Sequence, residues 1–270
     1  MAEANEKVMI DEKTQTEPLL EESLEIIYQD EYMVAINKPA GLLVHRSMID
    51  KRETRFAMQI LRDQIGQHVF PVHRLDRPTS GVLLFALSAD IARVLNETFT
   101  NRLVQKHYVA LVRGFMPDLN EWLHLDYPLK EQHDKMTDGK AKQDKLPQQA
   151  QTDYMAVAKA QLPFAVGRYD SVRYSLVHLR PLTGRKHQLR RHLAHLRHPI
   201  LGDTSHGDGR QNRFFFAHFN VRRLMLTACA LVLPHPVTQA NIALTIKPDE
   251  QWLSAAELLG WDIGRLWPDV

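Results

Sequence analysis

The segment 73–81, HRLDRPTSG, contains the residues best suited to chemistry. Its one acid, Asp76, stands between Arg74 and Arg77 and precedes a proline, a glycine and an apolar run. A carboxylate in a loop at the entrance of a strand is in a usual place for a catalytic group, and nearby cations keep it ionised. The same residues could instead form a surface salt-bridge cluster that caps a turn, and their spacing alone does not decide between the two interpretations.

A second set of candidate groups is three histidines, His192, His195 and His198, at helical spacing. Such spacing can converge on zinc, but no cysteine or acid completes a ligand set there, and the flanking arginines would repel a cation. The one cysteine, Cys229, lies in an apolar run, where we expect a small buried side chain rather than a thiol nucleophile. We therefore predict no metal site, and no phosphate-cradling glycine loop indicates a cofactor.

The elements that must position Asp76 follow from hydrophobic periodicity and turn residues. The pattern predicts a hairpin of strands 24–28 and 32–37, an extended run 42–45, strands 81–87, 108–113, 174–179, 224–233 and 242–246, and helices 56–65, 88–103 with Ser88 as N-cap, 185–196 and 250–259. Many strands without strict βαβ alternation predict an α+β (mixed α/β) fold, in which helices flank a largely antiparallel central sheet.

Composition and charge bound the possible functions. Apolar residues make up 44% and charged residues 24%, which is ordinary for a globular protein. Net charge is +2, but residues 1–22 hold seven acids against Lys7 and Lys13, a net of −5, so the remaining residues carry +7. A basic body fits a polyanionic partner, although many proteins without such a partner are equally basic. We predict a flexible acidic extension over 1–22, one domain over 23–270 and an exposed loop within the polar stretch 130–150.

Nothing in the sequence indicates a membrane protein or an exported one. No apolar stretch approaches the length that crosses a bilayer, and the N-terminus lacks the pattern of a signal peptide. We expect a cytoplasmic protein.

The segment HRLDRPTSG resembles the catalytic signature of the RluA-type pseudouridine synthases. Four further segments are similar to motifs of that family, in the family's order: NKPAGLLVH at 37–45, QKHY at 105–108, TGRKHQLR at 183–190 and HPILGD at 198–203. The resemblance spans roughly residues 24–246. Within the family, the runs RDQIGQHVF, RRHLAHLRHP and GDGRQNR are most similar to members that modify uridine 65 of tRNA. The acidic extension departs from the family pattern, and no counterpart of an S4-type RNA-binding module precedes Leu24.

The resemblance implies an isomerase that needs no cofactor and acts on a tRNA. It implies that Asp76 is the essential aspartate, acting as a nucleophile or as a base on a sugar proton; the sequence does not choose. It further implies that Arg190 pairs with this carboxylate, and that Tyr108 stacks on the detached uracil or relays a proton. Without the resemblance, Arg190 would be one more basic residue on a helix and Tyr108 a packing aromatic.

The remaining predicted contacts are with RNA. By resemblance, Arg74 fills the gap left when the target base leaves its stack, and otherwise it would form a surface salt bridge. Four further cations accompany the predicted helix that follows Gly184, opposite a packing side of Leu189, Leu193 and Leu196. They are expected to bind phosphates, or else form a solvated face: Arg185, Lys186, Arg191 and Arg197.

Three other functions stay open from the residues alone. One is a synthase of the same family that acts on ribosomal RNA. Another is a non-catalytic RNA-binding protein, although binding alone would not need Asp76. A third is a metal-dependent hydrolase built on the histidines, which a chelator would inactivate. We expect a monomer.

Overall fold

A computed structural model of the chain describes residues 23–45, 54–131 and 146–270. The predicted acidic extension 1–22 and most of the polar stretch 130–150 lie outside the described residues. In the described part, ten strands and six helices follow in the order β1 (Glu25–Gln29), β2 (Met33–Lys38), α1 (Ala57–Ile65), β3 (Phe70–Pro71), β4 (Ser80–Ala86), α2 (Ala89–Thr100), β5 (Gln105–Arg113), β6 (Leu123–Asp126), β7 (Gln151–Leu162), β8 (Val172–Pro181), α3 (Gln188–His195), α4 (Gly209–Phe219), β9 (Leu226–Pro234), β10 (Asn241–Thr245), α5 (Glu250–Leu258) and α6 (Ile263–Leu266).

The described strands form one sheet in the order β1-β2-β4-β9-β5-β8-β7-β6, with β3 beside β4 and β10 beside β9. Strand pairs in it are antiparallel except β4 with β9, which run parallel. The predicted α+β fold with a largely antiparallel sheet is therefore confirmed. No helix among the described residues is long and apolar enough to cross a membrane.

Strand β4 is the centre of this arrangement and is buried along its whole length. Its side chains alternate, so Val82 and Leu84 pack with Leu95 of α2, while Leu83 and Phe85 pack with Leu61 of α1. Each such side chain stabilises the fold by roughly 1.5–3 kcal/mol on burial. Because both faces of β4 are covered, the loop that enters this strand starts from a fixed point.

The parallel contact between β4 and β9 depends on one glycine. Gly81 has a φ of +117°, and a Cβ atom there would overlap the carbonyl group of Ala228 on β9. A glycine is therefore the residue that lets these two strands approach closely just after the HRLDRPTS segment.

Most predicted elements are present, with five differences. Strand β5 begins at Gln105 rather than at 108. The extended run 42–45 forms no strand but only a bridge from Leu43 to Phe56. Helix α2 has the predicted cap, with Ser88 Oγ accepting from the N–H of Ile91, but ends at Thr100 rather than at 103. Helix α3 begins at Gln188 rather than at 185, because His187 adopts a left-handed φ of 55°. Strands β3, β6 and β7 and helices α4 and α6 were not predicted.

Candidate active site

The loop that carries Asp76 forms a tight turn at the entrance of β4. The Thr79 N–H donates to the Asp76 carbonyl oxygen at 3.0 Å, and Leu75 is buried beneath the loop. The Asp76 side chain is 22% exposed, so its carboxylate faces open space. Its position at a strand entrance is the one predicted from sequence.

A second turn, after β2, holds this loop from the side. Lys38 is fully buried, and its Nζ donates to the carbonyl oxygens of Pro39, Leu42 and Arg77 at 2.8, 2.9 and 3.3 Å. The Gly41 N–H also donates to the Arg77 carbonyl oxygen, at 2.8 Å. Burial lowers the pKa of Lys38 to about 7, and the nearby Asp76 charge opposes that shift. The NKPAGLLVH segment was noted in the sequence, but no role was predicted for Lys38.

The far end of the loop is fixed by a buried polar network. Trp252 Nε1 donates to Thr227 Oγ1 at 2.9 Å, and Arg223 Nη1 donates to Ser80 Oγ at 3.0 Å. The two hydroxyl oxygens lie 2.8 Å apart. Each buried hydroxyl therefore has partners, and this network links the loop to β9 and α5.

Arg190, on α3, is the cation that lies beside the Asp76 carboxylate. Its Nη1 lies 3.7 Å from Asp76 Oδ2, and the side chain is 4% exposed. The same guanidinium binds Asp203 in bidentate fashion, at 2.7 and 2.8 Å. Burial alone would lower the pKa of Arg190, but the bonds and charge of Asp203 and the charge of Asp76 outweigh it and raise the pKa.

Asp203, like Lys38, is a neighbour of the site that sequence reasoning missed. It is 2% exposed, and it also accepts the backbone N–H groups of Ser205 and His206, both at 2.9 Å. Burial acts to raise the pKa of Asp203, yet the hydrogen bond from Arg190 and the two backbone N–H groups hold it below its ordinary value. Asp203 is the last residue of the HPILGD segment, which was noted in the sequence. The segment alone does not show that this aspartate binds Arg190.

The turn before α3 is held by Gln188, which is buried at the first position of the helix. Its Oε1 accepts from Thr183 Oγ1 at 2.7 Å and from the Arg185 N–H at 3.0 Å, while its Nε2 donates to the Gln151 carbonyl oxygen at 2.9 Å. The left-handed His187 hydrogen-bonds through Nδ1 to His206 Nε2 at 3.1 Å. These bonds orient the start of α3 and, with it, Arg190.

Tyr108 of β5 completes the group beside Asp76. It lines the same cleft, with burial and then the Asp76 charge raising the pKa of its phenol well above the ordinary value. Its hydroxyl therefore stays protonated at physiological pH.

Asp76, Tyr108, Gln188 and Arg190 line one open cleft of about 1140 Å³. It brings together all three predicted catalytic residues and three of the predicted RNA-binding cations, Arg74, Arg185 and Lys186. Among the described lining residues, Asp76 is the one acid, against seven cations: Arg74, Arg102, Lys106, Arg180, Arg185, Lys186 and Arg190. The cleft therefore presents a single carboxylate in a positive field, which suits a polyanionic ligand.

The other two predicted RNA contacts lie outside this cleft. Arg191 lines an adjoining cavity of about 180 Å³ that shares Arg185 and Lys186 with the cleft. Arg197 is exposed beyond the end of α3, with a left-handed φ of 64°, and lines neither cavity.

The histidines of the segment 192–198 have separate partners. His192 hydrogen-bonds Thr152 Oγ1 and the Tyr127 carbonyl oxygen, both at 3.0 Å. His195 stacks on Tyr127 with ring centroids 3.6 Å apart, and His198 Nδ1 lies 2.9 Å from the Arg113 carbonyl oxygen. Within the described ranges, no three metal-ligating side chains form a group.

Comparison with known proteins gives a consistent result. A family model described as RNA pseudouridylate synthase matches residues 32–195, which include Asp76, Tyr108 and Arg190. The chain is 55% identical over 244 residues to the tRNA pseudouridine synthase C of Pasteurella multocida, covering 90% of this chain and 99% of that protein. It is 58% identical over 238 residues to the tRNA pseudouridine synthase C of Vibrio cholerae, covering 88% and 96%.

Solved structures show the same architecture. Human RNA Pseudouridylate Synthase Domain Containing 1 aligns with a TM-score of 0.64 at 26% identity, over 87% of this chain and 90% of that one. Human RNA Pseudouridylate Synthase Domain Containing 4 aligns with the same TM-score at 28% identity, over 87% and 93%.

Proposed function

The chain belongs to the RNA pseudouridylate synthase family, and we propose that it converts a uridine of tRNA, the one at position 65, to pseudouridine. The observation that carries the proposal is the single carboxylate of Asp76, 3.7 Å from Arg190 in a cleft otherwise lined by cations. The relatives named tRNA pseudouridine synthase C support tRNA as the substrate. The similarity of three sequence runs to members that act on position 65 supports the target.

The reaction is an isomerisation that leaves the composition of the nucleotide unchanged. The bond from ribose C1′ to uracil N1 breaks, the ring turns, and C1′ joins C5. The C5 proton is then lost and N1 gains a proton. Because nothing is oxidised or consumed, the balance calls for no cofactor, and we propose that the enzyme uses neither a cofactor nor a metal.

Asp76 is the proposed catalytic residue. Its ionised carboxylate can attack C1′, or it can remove a sugar proton, as the bond to N1 breaks. Arg190 is the proposed partner that orients this carboxylate, because the guanidinium is itself fixed by Asp203.

Tyr108 is proposed to hold the detached uracil in place. A ring beside Asp76 can stack on the base while it turns, and a protonated hydroxyl can donate a hydrogen bond to it. This role keeps the base close to C1′ between the two bond changes.

The target base must leave its stack to reach Asp76, at a cost of a few kcal/mol. Arg74 is exposed at the cleft and follows His73, whose Nε2 accepts from the Leu84 N–H at 3.0 Å. A planar guanidinium anchored in this way is suited to fill the gap in the RNA. Arg185, Lys186, Arg191 and Arg197 are proposed to bind the flanking phosphates.

We further propose that residues 23–270 act as one catalytic domain, that the enzyme is a monomer, and that it works in the cytoplasm, where its tRNA substrate is found. The continuous sheet across the described residues supports the first of these statements.

The test is pseudouridine mapping by carbodiimide labelling and primer extension on tRNA from cells that lack this protein. Resupplying wild type should restore a stop at position 65, and resupplying Asp76→Asn should not. A stop restored only in ribosomal RNA would reject the tRNA target, and no restored stop in either RNA would favour a non-catalytic RNA-binding protein.

A further inference from the structure

A second basic surface lies outside the cleft, where the loop joining β7 to β8 packs along α4. Phe164 of this loop contacts Phe214 and His218 of α4, with ring centroids 5.5 and 5.0 Å apart. Further along the loop, Gly167 lies beside Arg210, because a Cβ atom on it would be 3.6 Å from Arg210 Nη1. The tip of the loop is thereby fixed beside the first turn of α4.

Four exposed arginines converge on this place from the loop, β8 and α4. Together with the exposed Tyr169 they form what we call the hairpin–helix patch: Arg168, Tyr169, Arg173, Arg210 and Arg213. Arg113, at the end of β5, lies behind it and pairs with Asp208 at 2.8 Å. A second acid, Asp170, lies at the tip of the loop. In the described part of the chain, no carboxylate forms an ion pair with Arg168, Arg173, Arg210 or Arg213, so their charge is directed to solvent.

Exposed aromatic rings accompany these cations. Tyr169 is 46% exposed, and the guanidiniums of Arg168 and Arg113 lie 5.2 and 5.9 Å from its ring centroid. Arg173 lies 5.4 Å from the ring of Phe115, which is 39% exposed. The hydrogen bond and charge of Arg168 lower the pKa of the Tyr169 phenol, as expected where the local potential is positive. Arginine with exposed aromatic side chains is a combination suited to phosphates and nucleic-acid bases.

The patch and the cleft are connected through the fold. Asp203, which holds Arg190, begins the turn that leads through Asp208, the N-cap of α4, to Arg210. Strand β5 places Tyr108 in the cleft and Arg113 beside the patch, and five residues of strand span about 17 Å. That distance is less than one turn of a nucleic-acid duplex. Because side chains five residues apart point to opposite faces of a strand, an RNA that contacts both surfaces must extend past the end of the sheet at Arg113.

We propose that the hairpin–helix patch binds the phosphate backbone of a duplex stem of the same tRNA, at a distance from the target nucleotide. The proposal rests on the proposed function for the identity of the RNA. The sequence run GDGRQNR contains Arg210 and Arg213, which do not line the catalytic cleft. The proposal assigns these two residues to substrate binding.

The experiment compares wild type, Arg210→Gln/Arg213→Gln and Arg168→Gln/Arg173→Gln. The control is Arg265→Gln, which removes one exposed arginine of α6 that pairs with Asp262. Dissociation constants are measured over a range of salt for full-length tRNA and for a short RNA hairpin that contains only the arm with the target uridine. Turnover on the same full-length tRNA is measured in parallel.

Each double variant should bind full-length tRNA at least about tenfold more weakly near 0.1 M salt, with a salt slope smaller by about 2, because two phosphate contacts are lost. The short hairpin should bind all proteins equally. Equal dissociation constants for full-length tRNA, or an equal loss on the short hairpin, would overturn the proposal. Weakened binding by the variants with no pseudouridine from wild type would reject the proposed function but not the patch.

Discussion

The guanidinium of Arg190 lies between two carboxylates, 3.7 Å from Asp76 and 2.7 Å from Asp203. The two contacts differ in kind. Asp203 is 1% exposed at its side chain and binds the guanidinium in bidentate fashion, whereas Asp76 is 22% exposed and makes one longer contact. Asp203 therefore fixes the cation, and Asp76 keeps a free face toward the cleft.

Asp203→Asn should destabilise the protein by about 3–5 kcal/mol, because it leaves the buried charge of Arg190 without its main partner. It should also lower kcat, since Arg190 would no longer be held beside Asp76. Urea unfolding and turnover on tRNA measure the two effects. The matched control is Asp208→Asn, which removes a half-exposed pairing with Arg113 and should cost less than about 1 kcal/mol. Equal stability losses in the two variants would contradict this account of Asp203.

Lys38→Met should lower kcat more than it changes KM, because the loop that carries Asp76 loses a clamp on the Arg77 carbonyl oxygen. The pKa of Lys38 is about 7 in the folded protein and about 10.4 in the unfolded chain. Burying the charged ammonium therefore lowers the free energy of unfolding by its full amount below about pH 7, and this cost disappears by about pH 10.4. The stability of wild type relative to Lys38→Met should therefore rise with pH across that window. The exposed Lys159→Met is the control, and a pH-independent difference would show that Lys38 is not held in this way.

Tyr108→Phe should lower kcat by a factor that stays constant between about pH 6 and about pH 9, because burial and the Asp76 charge keep the Tyr108 hydroxyl protonated throughout. A pH–rate profile of both proteins measures the ratio. If the ratio of wild-type kcat to Tyr108→Phe kcat falls toward 1 as pH approaches 9, the hydroxyl ionises in that range. This result would contradict a phenol pKa that is raised by burial and by the Asp76 charge.

Arg191→Gln and Arg197→Gln should each weaken tRNA binding and reduce its salt slope by about 1, while leaving kcat at saturating tRNA unchanged. Arg191 lines the cavity next to the cleft, and Arg197 extends the basic surface beyond α3. Dissociation constants over a range of salt measure both effects, with Arg265→Gln as the control. If a variant binds tRNA with the dissociation constant and salt dependence of wild type, the substituted arginine does not contact the RNA.

The sequence was most informative where hydrophobic pattern and local signals agree. The burial of β4, the Ser88 cap of α2 and the placing of Asp76 before a buried strand were all predictable from residue order. Strand β7 was not predicted, because its residues QTDYMAVAKAQL combine small and polar side chains and its burial alternates weakly. Helix α4 was missed although Asp208 caps it, since its FFF run hides the helical period.

The partners of the site residues could not be obtained in the same way. Asp203 and Arg190 are separated by a turn and half of α3, and their pairing depends on how that turn folds back. Lys38 reaches Arg77 across 39 residues, through the sheet pairing of β2 with β4. Such contacts come from tertiary structure, and spacing in the chain does not encode them.

Release of the hydrogen at C5 of uridine reports directly on whether Asp76 carries out uridine isomerisation in tRNA. Purified protein is incubated with tRNA that carries tritium at C5 of uridine, and tritium released to water is counted. Wild type should release up to one equivalent per tRNA, and Asp76→Asn should release none while binding the tRNA with the wild-type dissociation constant. Release by Asp76→Asn at the wild-type rate, or no release by wild type, would contradict the account.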